Sequence, residues 1–168
     1  MVSDEEFEAL KKEVEELKKI KQGGEQNRTP QMQKAVVEEH IQKLAQDAGI
    51  VIEKIREIID PETLRLTVII EGKSEGEKQL NSTLCILTAK KYFYGDGSIL
   101  SQELRVKLKK LGIKSLANLS KNLAKYPNYL ICNVTKGSKS SSYEITIPGI
   151  KRGLELIKNL VKNNDKIS

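Results

Sequence analysis

The stretch KSLANLSKNLAKYPNYLICNVTKGSKSSSYEITI, residues 114–147, sets Leu116, Leu119 and Leu123 at helical spacing, stops at Pro127, and resumes as two apolar runs around a polar tip. The spacing predicts a helix over 115–125 that starts at Ser115 and ends before Pro127 and Asn128. Tyr129–Thr135 and Ser142–Ile147 then read as a strand and its return, with Tyr143, Ile145 and Ile147 on one face. The tip between them, from Lys136 to Ser142, holds Gly137, two lysines and four serines. At 100° per residue the helix face opposite the leucines carries Lys114, Asn118, Lys121 and Lys125, with Ser115 and Asn122 at its edge. Lysine and asparagine opposite leucine also describe an ordinary solvated face. The absence of any acidic residue from Lys114 to Lys125 tilts the balance towards a polyanion partner, for which lysine supplies phosphate contacts and asparagine a weaker base readout.

Working outward, Pro148 and Gly149 introduce a last helix with Ile150, Leu154, Ile157 and Val161 on its apolar side. Upstream, Ser101 caps a helix with Leu104, Leu108 and Leu111 facing inward, and Gly112 ends it. Before that, Ser74 and Glu77 have capping-box spacing and start a helix whose Leu80, Leu84 and Leu87 face a core; Gly95-Asp96-Gly97 breaks it. The predicted order is helix, short extended link, helix, turn, helix, strand, loop, strand, helix. In this order, and in the Ile-Pro-Gly-Ile-Lys-Arg-Gly entry to the last helix at 147–153, the segment from about Ser74 to Val161 resembles the winged helix-turn-helix family of archaeal type. The resemblance implies binding of double-stranded DNA by helix 115–125 and a wing at 136–142, with Lys114, Ser115, Asn118, Lys121, Asn122, Lys125, Lys136, Ser138 and Lys139 as contact residues. Lys107, Lys109, Lys110, Lys151 and Arg152 could add backbone contacts.

The amino-terminal half is patterned differently. Phe7, Leu10, Val14 and Leu17 form a heptad stripe on a helix from about Asp4 to Lys21, which needs a partner helix and ends at Gly23-Gly24. Thr29 and Pro30 then start a second helix, closed by Asp60-Pro61. Val37, Ile41, Leu44, Ala48, Val51, Ile55 and Ile58 step by four and three along it, a seam on a helix of roughly 45 Å that would pair with its twin in a homodimer. Gly49 is its weak point, and Ile50, Ile52 and Ile59 widen the apolar surface near its end. Leu64, Leu66, Val68 and Ile70 alternate with Arg65 and Thr67 as a short strand. The expected fold is thus mainly α with a small β-hairpin (α+β), divided as 1–28, 29–72 and 73–168.

Charge follows the same division. Residues 1–71 hold 11 basic and 16 acidic side chains, a net −5, whereas residues 72–168 hold 18 and 7, a net +11. A positive field confined to one half attracts polyanions and speeds encounter, although lysine-rich surfaces also occur without such partners. Enzymatic chemistry finds no constellation: His40, the one histidine, lies beside Glu38 and Glu39 on the predicted long helix, and Gly72, Gly76 and Lys78 lack phosphate-loop spacing. No metal or cofactor set is present, and Cys85 and Cys132, on apolar faces with no Cys-x-x-Cys spacing, read as buried thiols. No stretch is apolar enough to span a bilayer and no signal peptide is visible, so a cytoplasmic, nucleoid-associated address is expected. The leading expectation is a dimeric transcriptional regulator. A chromosome-organising protein and a protein-interaction adaptor are the alternatives.

Overall fold

Three acidic residues, Asp4, Glu5 and Glu6, complement the amino-terminal dipole of the first helix, α1 (Asp4–Gln26). It runs through Gly23 and Gly24, where the sequence predicts an end. A computed structural model describes residues 4–26, 30–68, 70–134 and 141–167, and their side chains at 4–16, 34–68, 70–133 and 141–167. The chain divides into two compact units, Met1–Glu38 and Glu39–Ser168. No described helix is long and apolar enough to cross a membrane.

The predicted 45 Å helix is two helices, α2 (Pro30–Ala48) and α3 (Ile52–Ile58). Gly49 adopts φ +69°, a left-handed conformation open to glycine, while its N–H and that of Ile50 return to Gln46 O and Ala45 O and end α2. The seam is accordingly not a surface for a twin. Ile41, Leu44, Ala48, Ile55 and Ile58 are all buried within their own chain, leaving only Val37 and Val51 exposed. Burying a Leu or Ile is worth about 1.5–3 kcal/mol, so withdrawing them to pair with another copy would dismantle the core they complete. For the same reason the boundary expected near residue 72 does not exist: Ile41, Ile58, Leu64 and Leu66 share one core with Leu84, Leu104 and Ile157.

The described residues of 63–70 keep their alternation but form no strand. Leu64, Leu66 and Ile70 are buried, Arg65 and Thr67 exposed, and the backbone makes one isolated bridge, Ile59 to Leu66. Leu64 stands at φ +55°, its N–H on Asp60 O, so the segment turns back on itself where an extended ladder was expected.

The centre of the larger unit is α4 (Glu75–Tyr94), buried continuously from Gln79 to Ala89. The expected cap forms, Glu77 N–H donating to Ser74 Oγ at 3.2 Å, while the Glu77 carboxylate reaches one residue further back than in a capping box and accepts from Lys73 N–H at 2.7 Å. Gly95 closes the helix. Beyond it Asp96 accepts from Ser98 Oγ, Ser98 N–H and Lys90 Nζ, which hold its carboxyl at about 2, below the usual carboxylate range, and pin the turn. His40, expected to be exposed, is half-buried against this helix, with Nδ1 2.9 Å from Phe93 O. Tyr92 OH donates to Asp47 at 2.6 Å, so α2 is tied to α4 twice.

The extended link predicted after α4 is a strand, β1 (Ser98–Leu100), followed by α5 (Ser101–Lys110) with Ser101 as its buried first residue and Leu100 as its cap. Then come α6 (Leu119–Leu123), β2 (Leu130–Val134), β3 (Ser141–Ile145) and α7 (Ile147–Ile167). The antiparallel sheet has order β1-β3-β2, with Cys132 opposite Tyr143 and Ile99 opposite the same tyrosine on the other side. Tyr143 is wholly buried and Ile145 nearly so, but Ile147 starts α7 and is 73% exposed, so it leaves the strand face it was expected to share. Cys85 is buried, which pushes its thiol up to about 12; Cys132, expected to be buried, is exposed on the edge strand. The molecule is mainly helical with a small three-stranded sheet, the α+β class that the sequence predicts.

Candidate nucleic-acid interface

From Leu104 to Tyr143 the sequence contains no aspartate or glutamate, while Arg105 and eight lysines fall in that span. Within the span itself no acid can neutralise them, although Glu103, just before it, lies 4.0 Å from Lys107 Nζ. This segment includes most of α5 and all of α6 and β2, and it carries the expected groove and wing contacts; of the supplementary cations, Lys151 and Arg152 lie beyond it on α7.

The predicted helix 115–125 is shorter than expected: α6 comprises five residues, and Ser115 to Asn118 approach it as a turn. Two long side chains reach the backbone of this approach. In an α-helix begun at Ser115, Leu119 N–H would donate to Ser115 O. Instead Ser115 O accepts from Gln79 Nε2 at 2.5 Å, and Leu119 N–H donates to Leu116 O at 3.2 Å. Leu116 O also accepts from Arg105 Nη1 at 2.7 Å, which leaves both carbonyls committed to the neighbouring helices α4 and α5. Leu119 and Leu123 are buried as expected, and Leu116 packs at the edge of the core.

Lys114, Ser115, Asn118, Lys121 and Lys125 are exposed, but only Lys121 lies within α6. The single-face geometry expected of Lys114, Asn118, Lys121 and Lys125 therefore does not hold; the others sit on the turns at either end of the helix. Asn122 is corrected more fully. It is half-buried, its Nδ2 donating to Gln79 Oε1 at 2.9 Å, and it sits on Gly76 of α4, so it is a packing residue and not a free base reader. Ser120 Oγ lies 2.9 Å from Tyr143 OH and fastens α6 to β3. Lys136, Ser138 and Lys139, the expected wing contacts, lie outside the described residues.

Gln79 and Arg105 are not legible as site residues in the sequence, because both act through backbone carbonyls of a segment 36 and 11 residues away. The available signal was an amide placed among leucines and a buried neighbourhood, where an unpaired polar group costs free energy. Together they convert a loop with weak helical character into a fixed platform for Lys114, Asn118 and Lys121.

Among the supplementary cations, Lys107 is taken up by Thr63 O at 2.8 Å and Arg152 by Glu155 at 3.1 Å. Lys109, Lys110 and Lys151 are exposed. Lys110 also lines a cleft of about 450 Å³ together with Arg65, Lys107 and the apolar Leu64, Leu66 and Ile86. On the other side, Glu75 and Glu77 in the first turn of α4 flank Gly76, on which Asn122 rests, so the positive surface is bounded there. No group of three or more potential metal ligands occurs among the described residues.

The chain matches no protein-family profile, no curated protein and no solved structure. What the surface can do follows from its own chemistry. A five-residue helix rises about 7.5 Å, against a major groove about 12 Å wide, so α6 can offer little more than one turn to a groove. The charged groups exposed along residues 114–125 are the ammonium groups of Lys114, Lys121 and Lys125, which bind phosphate oxygens without regard to sequence.

Proposed function

We propose that the chain binds duplex DNA as a winged-helix protein, with residues 114–125 at the groove and the lysine- and serine-rich tip 136–142 as the wing. One observation carries this: Lys114 and Lys121 are exposed, make no ion pair with a described residue, and belong to an acid-free segment held in place from the interior by Gln79 and Arg105. Element order supports the winged-helix assignment, since helix, strand, helix, helix and hairpin follow one another with the first strand paired to the last. A merely solubilising lysine surface has no need of such anchoring.

Contacts of this kind are dominated by phosphate. With Asn122 engaged internally and α6 short, little remains to read base edges, and a sequence-tolerant, chromosome-organising role is favoured over recognition of a unique operator. Binding should therefore fall steeply with salt, because each neutralised phosphate releases condensed counterions.

Fluorescence anisotropy with random-sequence duplex tests this. Lys121→Ala/Lys125→Ala is expected to lower the slope of log affinity against log salt by about 1.8, the contribution of two phosphates at 0.9 each. Lys121→Glu/Lys125→Glu is expected to abolish binding while the circular dichroism spectrum stays unchanged, both side chains being exposed. Unaltered binding by the charge-reversed variant would remove α6 from the interface, and no binding by the wild-type chain at 50 mM salt would leave a protein-docking role for the same unit.

A further inference from the structure

We infer that α1 pairs with α1 of a second copy of this chain as a parallel, two-stranded coiled coil. Every described side chain from Asp4 to Glu16 is exposed, including Phe7 at 63%, Leu10 at 58% and Val14 at 48%. These three lie at a, d and a of one heptad register, and in the sequence Leu17 continues it at d. A helix that leaves such a stripe in water is marginal on its own, and no described residue covers this one.

Charge selects both the partner and its direction. Glu6 stands at g and Lys11 at the following e; by sequence Glu13 and Lys18 repeat the pair one heptad later. In a parallel dimer each g faces e of the partner five residues on, so both pairs join Glu to Lys. An antiparallel arrangement would set g against g and e against e, glutamate facing glutamate and lysine facing lysine, which disfavours it. Val14 at a with Leu10 at d is the combination that favours two parallel strands. Lys21 and Gly24 occupy the next a and d positions and end the seam, so it spans about two heptads and association depends on concentration.

This inference stands apart from DNA binding. It replaces the seam at Val37–Ile58, which is spent on the core, with a surface that the core does not use. Two copies of the Glu39–Ser168 unit would then share one tether and gain effective concentration on any repetitive partner.

Sedimentation velocity on the full chain over a concentration series is the test. The mass is expected to rise from monomer towards dimer, Glu6→Lys/Glu13→Lys and Lys11→Glu/Lys18→Glu are each expected to remain monomeric, and an equimolar mixture of the two should recover the dimer. Direction is read separately, from Val14→Cys placed in a Cys132→Ser background to remove the exposed native thiol. Parallel pairing brings the two introduced thiols together at a and gives an oxidised dimer, whereas antiparallel pairing does not. A monomer at every concentration, charge variants as dimeric as the wild type, or no cross-link from a dimeric Val14→Cys variant would each overturn the proposal.

Discussion

Gln79 shows how one buried amide can decide the form of an external surface. It is 1% exposed, donates to Ser115 O and accepts from Asn122 Nδ2, so a single side chain fixes both ends of the segment carrying Asn118 and Lys121. Its replacement by leucine keeps the volume but strands a carbonyl and an amide, at a cost of about 1–3 kcal/mol. Gln79→Leu is therefore expected to unfold at lower urea concentration, and to speed amide exchange selectively in residues 115–124. DNA affinity should fall as well, although no surface lysine has changed. Exchange that is uniform along the chain, or unaltered at 115–124, would show that Gln79 serves the core alone and does not anchor the platform.

Among the elements, the crossing of α4 and α7 holds the larger unit together at its closest approach. A Cβ added at Gly153 would lie 2.9 Å from Thr88 Cβ and 3.0 Å from Leu84 O, and closer still to Thr88 Oγ1, itself a buried hydroxyl with no hydrogen-bond partner among the described residues. Overpacking of this kind costs about 1–3 kcal/mol, so Gly153→Ala should lower the melting temperature clearly. Thr88→Ala removes the nearest obstacle, the hydroxyl, and leaves the Cβ of residue 88 and Leu84 O in place. The double variant is expected to recover about half of the loss, giving a coupling energy that a double-mutant cycle in urea would detect; strict additivity would mean that the helices move apart instead. The same elements explain what was legible in the sequence. α4, α7 and the hairpin were readable because local chemistry and burial agree there: Ser74 caps α4 through Glu77 N–H, and Tyr143 and Ile145 alternate inward. At 115–125 the local pattern predicts more helix than forms, because it carries no trace of the tertiary hydrogen bonds by which Gln79 and Arg105 hold Ser115 O and Leu116 O. Apolar residues at heptad spacing from Val37 to Ile58 specify an apolar stripe but not its partner, and here the partner is the chain itself.

At the scale of the whole molecule, the division after Glu38 in place of residue 72 makes two fragments behave oppositely. A fragment of 39–168 retains the buried residues Ile41, Leu44, Ile55, Ile58, Ile59, Leu64, Leu66 and Ile70, and with them the contact of His40 with Phe93 and of Asp47 with Tyr92. It is expected to fold cooperatively, to melt within a few degrees of the full chain, and to bind DNA as a monomer with affinity reduced by the lost tether. A fragment of 73–168 lacks all eight of those apolar side chains. At about 1.5–3 kcal/mol each, an upper estimate because unfolded chains already bury some surface, their removal costs as much as the 5–15 kcal/mol by which domains are typically stable. That fragment should show no cooperative thermal transition and should expose the apolar faces of α4 and α7 to a hydrophobic dye. Cooperative melting of 73–168 would instead make the segment from His40 to Ile70 an accessory layer and return it to the role of a separable domain.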